Sequence, residues 1–114
     1  MTIKLGSDIV YIPKFEKALR SNREYFIQNV FSQEELEYPK PQRLASIFAT
    51  KEAVTKALGI TPGKWKEIEV AYEASGKPYL AKFPQDKKSK RKWKHELSIS
   101  HDGDYVIANI IFYQ

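Results

Sequence analysis

The chain has 114 residues, 42% hydrophobic and 29% charged, a globular mixture at a length that allows one domain over residues 1–114. It has no cysteine and only two histidines, His95 and His101, which excludes disulfide frameworks, thiolate zinc sites, cysteine nucleophiles and an all-histidine catalytic zinc site. Nineteen lysines and arginines against fourteen aspartates and glutamates give a net charge of +5, which favours an anionic partner: nucleic acid, a phosphorylated small molecule or an acidic protein.

Thr2 to Ile12 carries Ile3, Leu5, Ile9 and Tyr11 at alternating positions, the pattern of a strand, with Gly6 and Asp8 on the other parity. Lys4, Asp8 and Lys14 break up any signal-peptide core here, and the apolar run Tyr105 to Tyr113 is too short to cross a bilayer. A cytoplasmic setting with no membrane partner is expected. Pro13 opens a helical stretch with Phe15, Ala18 and Leu19 at helical spacing, and a second helix is predicted over Arg23 to Val30. Ser32 followed by Glu35 is a capping-box pattern for a short helix, ended by Pro39 and Pro41. The longest predicted helix runs from Gln42 to Leu58 and stops at Gly59. Trp65 to Glu73 alternates as a half-buried strand, Ser75 to Pro78 is a turn, and Tyr79 to Phe83 pairs back. Leu97 to Ser100 and Tyr105 to Tyr113 form a second hairpin around Asp102-Gly103. The last strand, apolar on both faces, belongs in a central position. Helices grouped before antiparallel strands indicate an α+β domain, with the sheet packed on the long helix.

Three groups of residues look like chemistry. On the long helix, Leu44, Ile47, Phe48, Val54 and Leu58 form an apolar stripe with Lys51 in its middle, where an ammonium must snorkel or find an anion. Glu52 and Lys56 flank that side at i, i+4 spacing, as a surface ion pair or as functional groups. Asp8 lies inside an apolar strand, where carboxylates are disfavoured. It is either satisfied by backbone donors or, with Glu52, a hard oxygen ligand for Mg²⁺, whose sites need only one or two carboxylates beside a phosphorylated substrate. Near the C-terminus Ser98, Ser100 and His101 run into a turn, where two hydroxyls and an imidazole converge on a place for phosphate oxygens. With no Gly-x-Ser-x-Gly elbow they do not make a hydrolase triad.

Taken together, Gly6-Ser7-Asp8-Ile9-Val10, the run from Phe48 to Gly59 containing Lys51-Glu52 and Lys56-Ala57, the Gly76-Lys77-Pro78 turn and Ser98-Ile99-Ser100-His101 resemble the bacterial holo-acyl-carrier-protein synthases, the small type of 4′-phosphopantetheinyl transferase. The segments come in that family's order and span essentially the whole chain. The resemblance implies that family's fold and transfer of phosphopantetheine from coenzyme A to a serine of apo acyl carrier protein, with release of adenosine 3′,5′-bisphosphate. It implies Asp8 and Glu52 as Mg²⁺ ligands, Glu52 as an aid to deprotonating the serine, and Lys56 on the pyrophosphate and the leaving phosphate. Lys51, Ser100 and His101 would hold the phosphates of coenzyme A, and Gly76, Lys77 and Pro78 would lie near its adenosine end. A homotrimer with active sites between subunits is implied as well. The acidic carrier protein would meet the basic first helix at Lys14, Lys17, Arg20 and Arg23, which lie on it or just beyond.

The sequence departs from the family at Ile47, where many members carry a basic or aromatic residue, and in the basic run Lys87 to Lys94. That run is a solvated loop or a reinforcement for an acidic partner. With Trp93 and the net charge it also supports a competing class, a small nucleic-acid-binding module, which no recognised motif backs. The expectation is therefore an enzyme without a nucleic-acid partner.

Overall fold

The computed structural model describes residues 1–85 and 90–114. Strand β1 (Ile3–Tyr11) leads into helix α1 (Ile12–Ser21), the short helix α2 (Arg23–Asn29), a 3-10 turn at Glu35–Glu37 and the long helix α3 (Pro41–Leu58). A second 3-10 turn, Trp65–Glu67, precedes strands β2 (Glu69–Tyr72) and β3 (Pro78–Lys82); β4 (Lys94–Asp102) and β5 (Tyr105–Tyr113) follow. The expected α+β arrangement is present, and β5 occupies the central position between β1 and β4, antiparallel to both. β2 and β3 pair as a separate ladder. Val70 and Leu80 join it to the main sheet's apolar core, and a polar contact adds to this: the Leu80 N–H donates to Nε2 of His95 on β4 at 3.0 Å. Burial holds the His95 imidazole below its ordinary pKa, favouring the neutral form that accepts this bond.

Helix α3 covers one face of the sheet and is buried on far more than the stripe read from its sequence. Ala45, Ala49, Ala53 and Ala57 are buried as well, at four-residue intervals that make a smooth ridge along the helix. The ridge meets β1 at Gly6, where an added Cβ would stand 2.0 Å from the Ala53 carbonyl oxygen. The helix backbone thus approaches the strand with no side-chain layer between them. On the covered face, Val106, Ala108, Ile110 and Phe112 of β5 are fully buried. The other parity is not covered: Ile3, Leu5 and Ile9 of β1 and Ile107 and Ile111 of β5 are all exposed. The apolar alternation of β1 therefore marks the face turned away from α3, while Gly6 and Asp8 face the helix.

Two local expectations change in detail. The strand predicted from Trp65 starts only at Glu69, because Trp65 is held by side-chain contacts to Glu52, Phe48 and Tyr25 rather than by a ladder. The capping box forms as read: the Glu35 N–H donates to Ser32 Oγ at 3.1 Å, and the Ser32 N–H donates to Glu35 Oε1 at 2.8 Å. It closes a 3-10 turn of three residues rather than an α-helix.

The contact at Gly6 gives a direct test. A methyl group there must push α3 off β1, and overpacking of this kind costs about 1–3 kcal/mol or more. Gly6→Ala is expected to lower the urea midpoint accordingly, whereas Gly103→Ala, whose Cβ would meet nothing within 4 Å, carries only the strain of its positive φ. Equal midpoints for Gly6→Ala and the parent chain would refute the close packing.

Candidate active site

Asp8 projects from β1 on the face covered by α3, and Glu52 and Lys56 lie one helical turn apart on α3. The Lys56 ammonium donates to Asp8 Oδ1 at 3.1 Å and to the Ser7 carbonyl at 3.1 Å. Asp8 is mostly buried, its side chain 17% exposed, while that of Lys56 is 58% exposed, so the lysine satisfies the strand carboxylate and still reaches solvent. Glu52 Oε1 accepts the indole N–H of Trp65 at 2.6 Å. The surface pair Glu52–Lys56 read from i, i+4 spacing is not what forms: each of the two bonds a different element. Asp8 and Glu52 line one groove of about 590 Å³ together with Tyr11, Lys14, Phe48 and Tyr105. The Tyr11 and Tyr105 rings stand 5.1 Å apart at its rim.

The donor set bears on a metal. Among the described residues no group of three histidine, cysteine, aspartate or glutamate side chains is gathered. A zinc-type cage is thus not formed by the described residues. Two carboxylates in one groove fit Mg²⁺, which takes one or two protein carboxylates and completes its shell with water and substrate phosphate oxygens.

Lys51 is a correction. Its side chain has no exposure and is bonded to Glu35 Oε1 at 2.7 Å and to the Val30 carbonyl. Helical periodicity turns it inward, so the anion it finds is a protein carboxylate, and it is not a coenzyme A contact. Burial pushes its pKa below the ordinary lysine value, against the pull of Glu35. Ile47, the position where the sequence departs from the resemblance, is likewise fully buried.

The convergence expected of Ser98, Ser100 and His101 does not occur. Strand alternation places Ser98 and Ser100 on the face away from α3, across from Asn109 and Ile107. His101 lies on the Asp8 face, opposite Val106 and two strands from Val10, about 10 Å at the usual strand spacing. The Gly76-Lys77-Pro78 turn, with Gly76 at φ 91°, is also apart from the Asp8 groove. Gly76 lines a separate groove of about 580 Å³ with Arg43 and Tyr72, and Lys77 Nζ is 3.2 Å from Glu96 Oε2. On the helical side, Lys14 lines the Asp8 groove; Lys17 and Arg23 are exposed, and Arg20 pairs with Glu16 at 3.1 Å. Lys87, at the start of the basic run, lies outside the described residues, as do Lys88 and Ser89. Trp93 is buried beneath Lys4, 5.5 Å from its ring, and is no platform for stacked bases.

Sequence reasoning missed three participants: Trp65, Glu35 as the partner of Lys51, and Arg43. The Arg43 guanidinium lies 3.8 Å from the Tyr72 ring centre and 4.9 Å from that of Tyr38. Trp65 carried one usable signal, an indole N–H that must find an acceptor when buried.

The model of the 4′-phosphopantetheinyl transferase superfamily matches residues 4–110. A holo-[acyl-carrier-protein] synthase of Ehrlichia ruminantium (strain Welgevonden) is 38% identical, with 100% of this chain and 98% of that protein covered. That of Thermoanaerobacter sp. (strain X514) is 36% identical, over 95% of this chain and 85% of the relative. Among solved structures, a Chronobacterium ammoniagenes ACPS–CoA complex superposes with a TM-score of 0.85 at 30% identity, covering 100% of this chain and 99% of that one. The Helicobacter pylori holo-[acyl-carrier-protein] synthase in complex with coenzyme A gives 0.78 at 27% identity, with 96% and 99% covered. Matching over nearly its whole length in both sequence and fold, with Asp8 and Glu52 facing one groove, the chain belongs to the holo-[acyl-carrier-protein] synthases of the 4′-phosphopantetheinyl transferase superfamily.

Proposed function

We propose that this chain transfers 4′-phosphopantetheine from coenzyme A to a serine hydroxyl of an apo acyl carrier protein, with Mg²⁺ as cofactor and adenosine 3′,5′-bisphosphate as the second product. The observation that carries the reading is one groove lined by Asp8 and Glu52, with the Lys56 ammonium bonded to Asp8. Phosphoryl transfer needs little covalent work from a protein, and positioning and charge neutralisation dominate. Asp8 and Glu52 would hold the Mg²⁺, which when bound supplies positive charge to the pyrophosphate oxygens. The serine oxygen bonds to the phosphorus that carries pantetheine while the bond from that phosphorus to the bridging oxygen breaks. Glu52 takes the hydroxyl proton, and Lys56 stabilises charge on the departing phosphate. Lys14 lies where the groove meets the basic first helix; Lys17, Arg20 and Arg23 extend that positive surface toward an acidic carrier, acting on encounter and screened by salt. A cytoplasmic setting, where coenzyme A and carrier proteins meet, belongs to the same reading; among the described residues no helix is long and apolar enough to cross a membrane.

The same reading includes a homotrimer with active sites between subunits. Two features support it. Ile3, Leu5, Ile9, Ile107 and Ile111 are all exposed on one face of the sheet, Leu5 beside Ile111 and Ile9 beside Ile107 with Ser7 and Asn109 between them, an apolar-rich face of the kind that marks an interaction surface. Ser100 lies on that same outer face, opposite to Asp8, so the two sets of groups serve one substrate only when Ser100 comes from a neighbouring copy. His101, Gly76, Lys77 and Pro78 complete the coenzyme A contacts in this arrangement.

Incubation with apo carrier protein, coenzyme A and Mg²⁺ is expected to add the mass of phosphopantetheine to the carrier. Asp8→Ala and Glu52→Ala are expected to lower transfer by at least about a hundredfold with the circular dichroism spectrum unchanged. Near-normal transfer by both variants at limiting Mg²⁺ overturns the assignment. Leu5→Glu, on the outer face, is expected to convert a particle of roughly three chain masses in sedimentation to a single chain and to reduce transfer with it. A lone-chain mass for the parent protein at micromolar concentration refutes the trimer.

A further inference from the structure

The Glu52 carboxylate is held by a residue outside the sequence segments that carry the family resemblance. Trp65 sits in the 3-10 turn after α3 and donates its indole N–H to Glu52 Oε1 at 2.6 Å. That nitrogen can only donate and does not titrate, so the bond always presents the same partner to the carboxylate. The ring itself has little freedom. It packs at 6.0 Å from Phe48 of α3 and 6.3 Å from Tyr25 of α2, and Phe48 in turn meets Phe15 of α1 at 5.5 Å. Three helices therefore fix the position of one N–H, and the N–H fixes one carboxylate oxygen. Among the described residues Glu52 Oε2 has no hydrogen bond, which leaves it as the oxygen for the cation or for the serine proton.

We propose that Trp65 is a positioning residue for Glu52: its indole N–H pins Oε1 in the groove and leaves Oε2 as the functional oxygen. The proposal rests on the reading of Glu52 as a metal-holding carboxylate. A glutamate has several rotatable bonds, and without a fixed partner the carboxylate spreads over rotamers, few of which face the ion. Partners of ligand groups commonly set metal affinity or activity by about ten- to a hundredfold when removed.

The test is a double-mutant cycle on Mg²⁺ binding, measured by titration calorimetry with coenzyme A present, using Trp65→Phe, Glu52→Gln and the pair. Trp65→Phe keeps an aromatic ring against Tyr25 and Phe48 and removes the donor along with part of the indole's packing. It is expected to weaken Mg²⁺ binding by about ten- to a hundredfold, to raise the Mg²⁺ concentration for half-maximal transfer in step, and to leave the coenzyme A KM within about twofold. In the Glu52→Gln background the same change is expected to have no further effect on the ion. Parent-like Mg²⁺ binding by Trp65→Phe while Glu52→Gln is weak overturns the role of Trp65 alone. So does an equal loss in both backgrounds, which marks a packing role. Parent-like binding by Glu52→Gln overturns the reading of Glu52, and with it this one. A second measurement does not depend on Trp65→Phe folding. In Trp93→Phe, Trp65 is the only tryptophan of the chain's two, and its emission is expected to shift when Glu52 is changed to alanine. An unchanged spectrum refutes the bond.

Discussion

The ion pair of Lys51 and Glu35 is the contact on which the rest of the arrangement depends. Neither side chain has any exposure, and removing two charges from water costs several kcal/mol for each. The structure offsets this by pairing both groups fully. Lys51 donates to Glu35 and to the Val30 carbonyl, and its ammonium lies 5.6 Å from the Phe31 ring. Glu35 also accepts the N–H groups of Ser32 and Val70. One carboxylate therefore ties the loop before α3, α3 itself and the start of β2. Loss of either partner would strand a buried charge, worth about 3–5 kcal/mol, a large share of the stability of a domain this size. Its effect on the site is rotational. With Lys51 locked inward, the next residue is turned by 100° and presents Glu52 to the groove.

Above this lock, the spacing between layers is set by backbone. The alanine ridge of α3 and the bare Cα of Gly6 bring helix and strand closer than any larger pair of residues would allow. That approach lets the Lys56 ammonium reach Asp8, 48 residues away in sequence, while keeping contact with water. A bulkier interface would separate the two carboxylates' elements without altering either residue, so the motif glycine and the motif carboxylates act as one unit.

Much of this was legible in the sequence, and the limits follow from what periodicity can carry. The capping box, the glycine stop of α3 and the central place of β5 are local signals and appear as read. Lys51 was recognisable as a cation in need of an anion, but helical spacing does not say whether that anion belongs to a substrate or to Glu35. The small residues of α3 hid the breadth of its buried surface, since Ala, Ser and Thr count little in an apolar stripe. Ser98, Ser100 and His101 are neighbours in sequence, and the two-residue period of a strand sends the serines and the histidine to opposite sides. The alternation of Ile68, Val70 and Tyr72 against Glu67, Glu69 and Glu73 marks a strand but does not include Trp65, which precedes it in a 3-10 turn, and no local pattern joins Trp65 to Glu52. The apolar parity of β1 read correctly as a strand, and within one chain it faces outward.

The placement of Asp8 and Ser100 on opposite sides of one sheet reaches into genetics. In the proposed trimer, with active sites shared between subunits, a variant damaged at Asp8 and another damaged at Ser100 would each lack a different half of every centre. Co-assembled under that proposal, some interfaces would pair an intact Asp8 with an intact Ser100, so two inactive alleles would together restore part of what neither supplies alone. Alleles damaged on the same face share no such remedy.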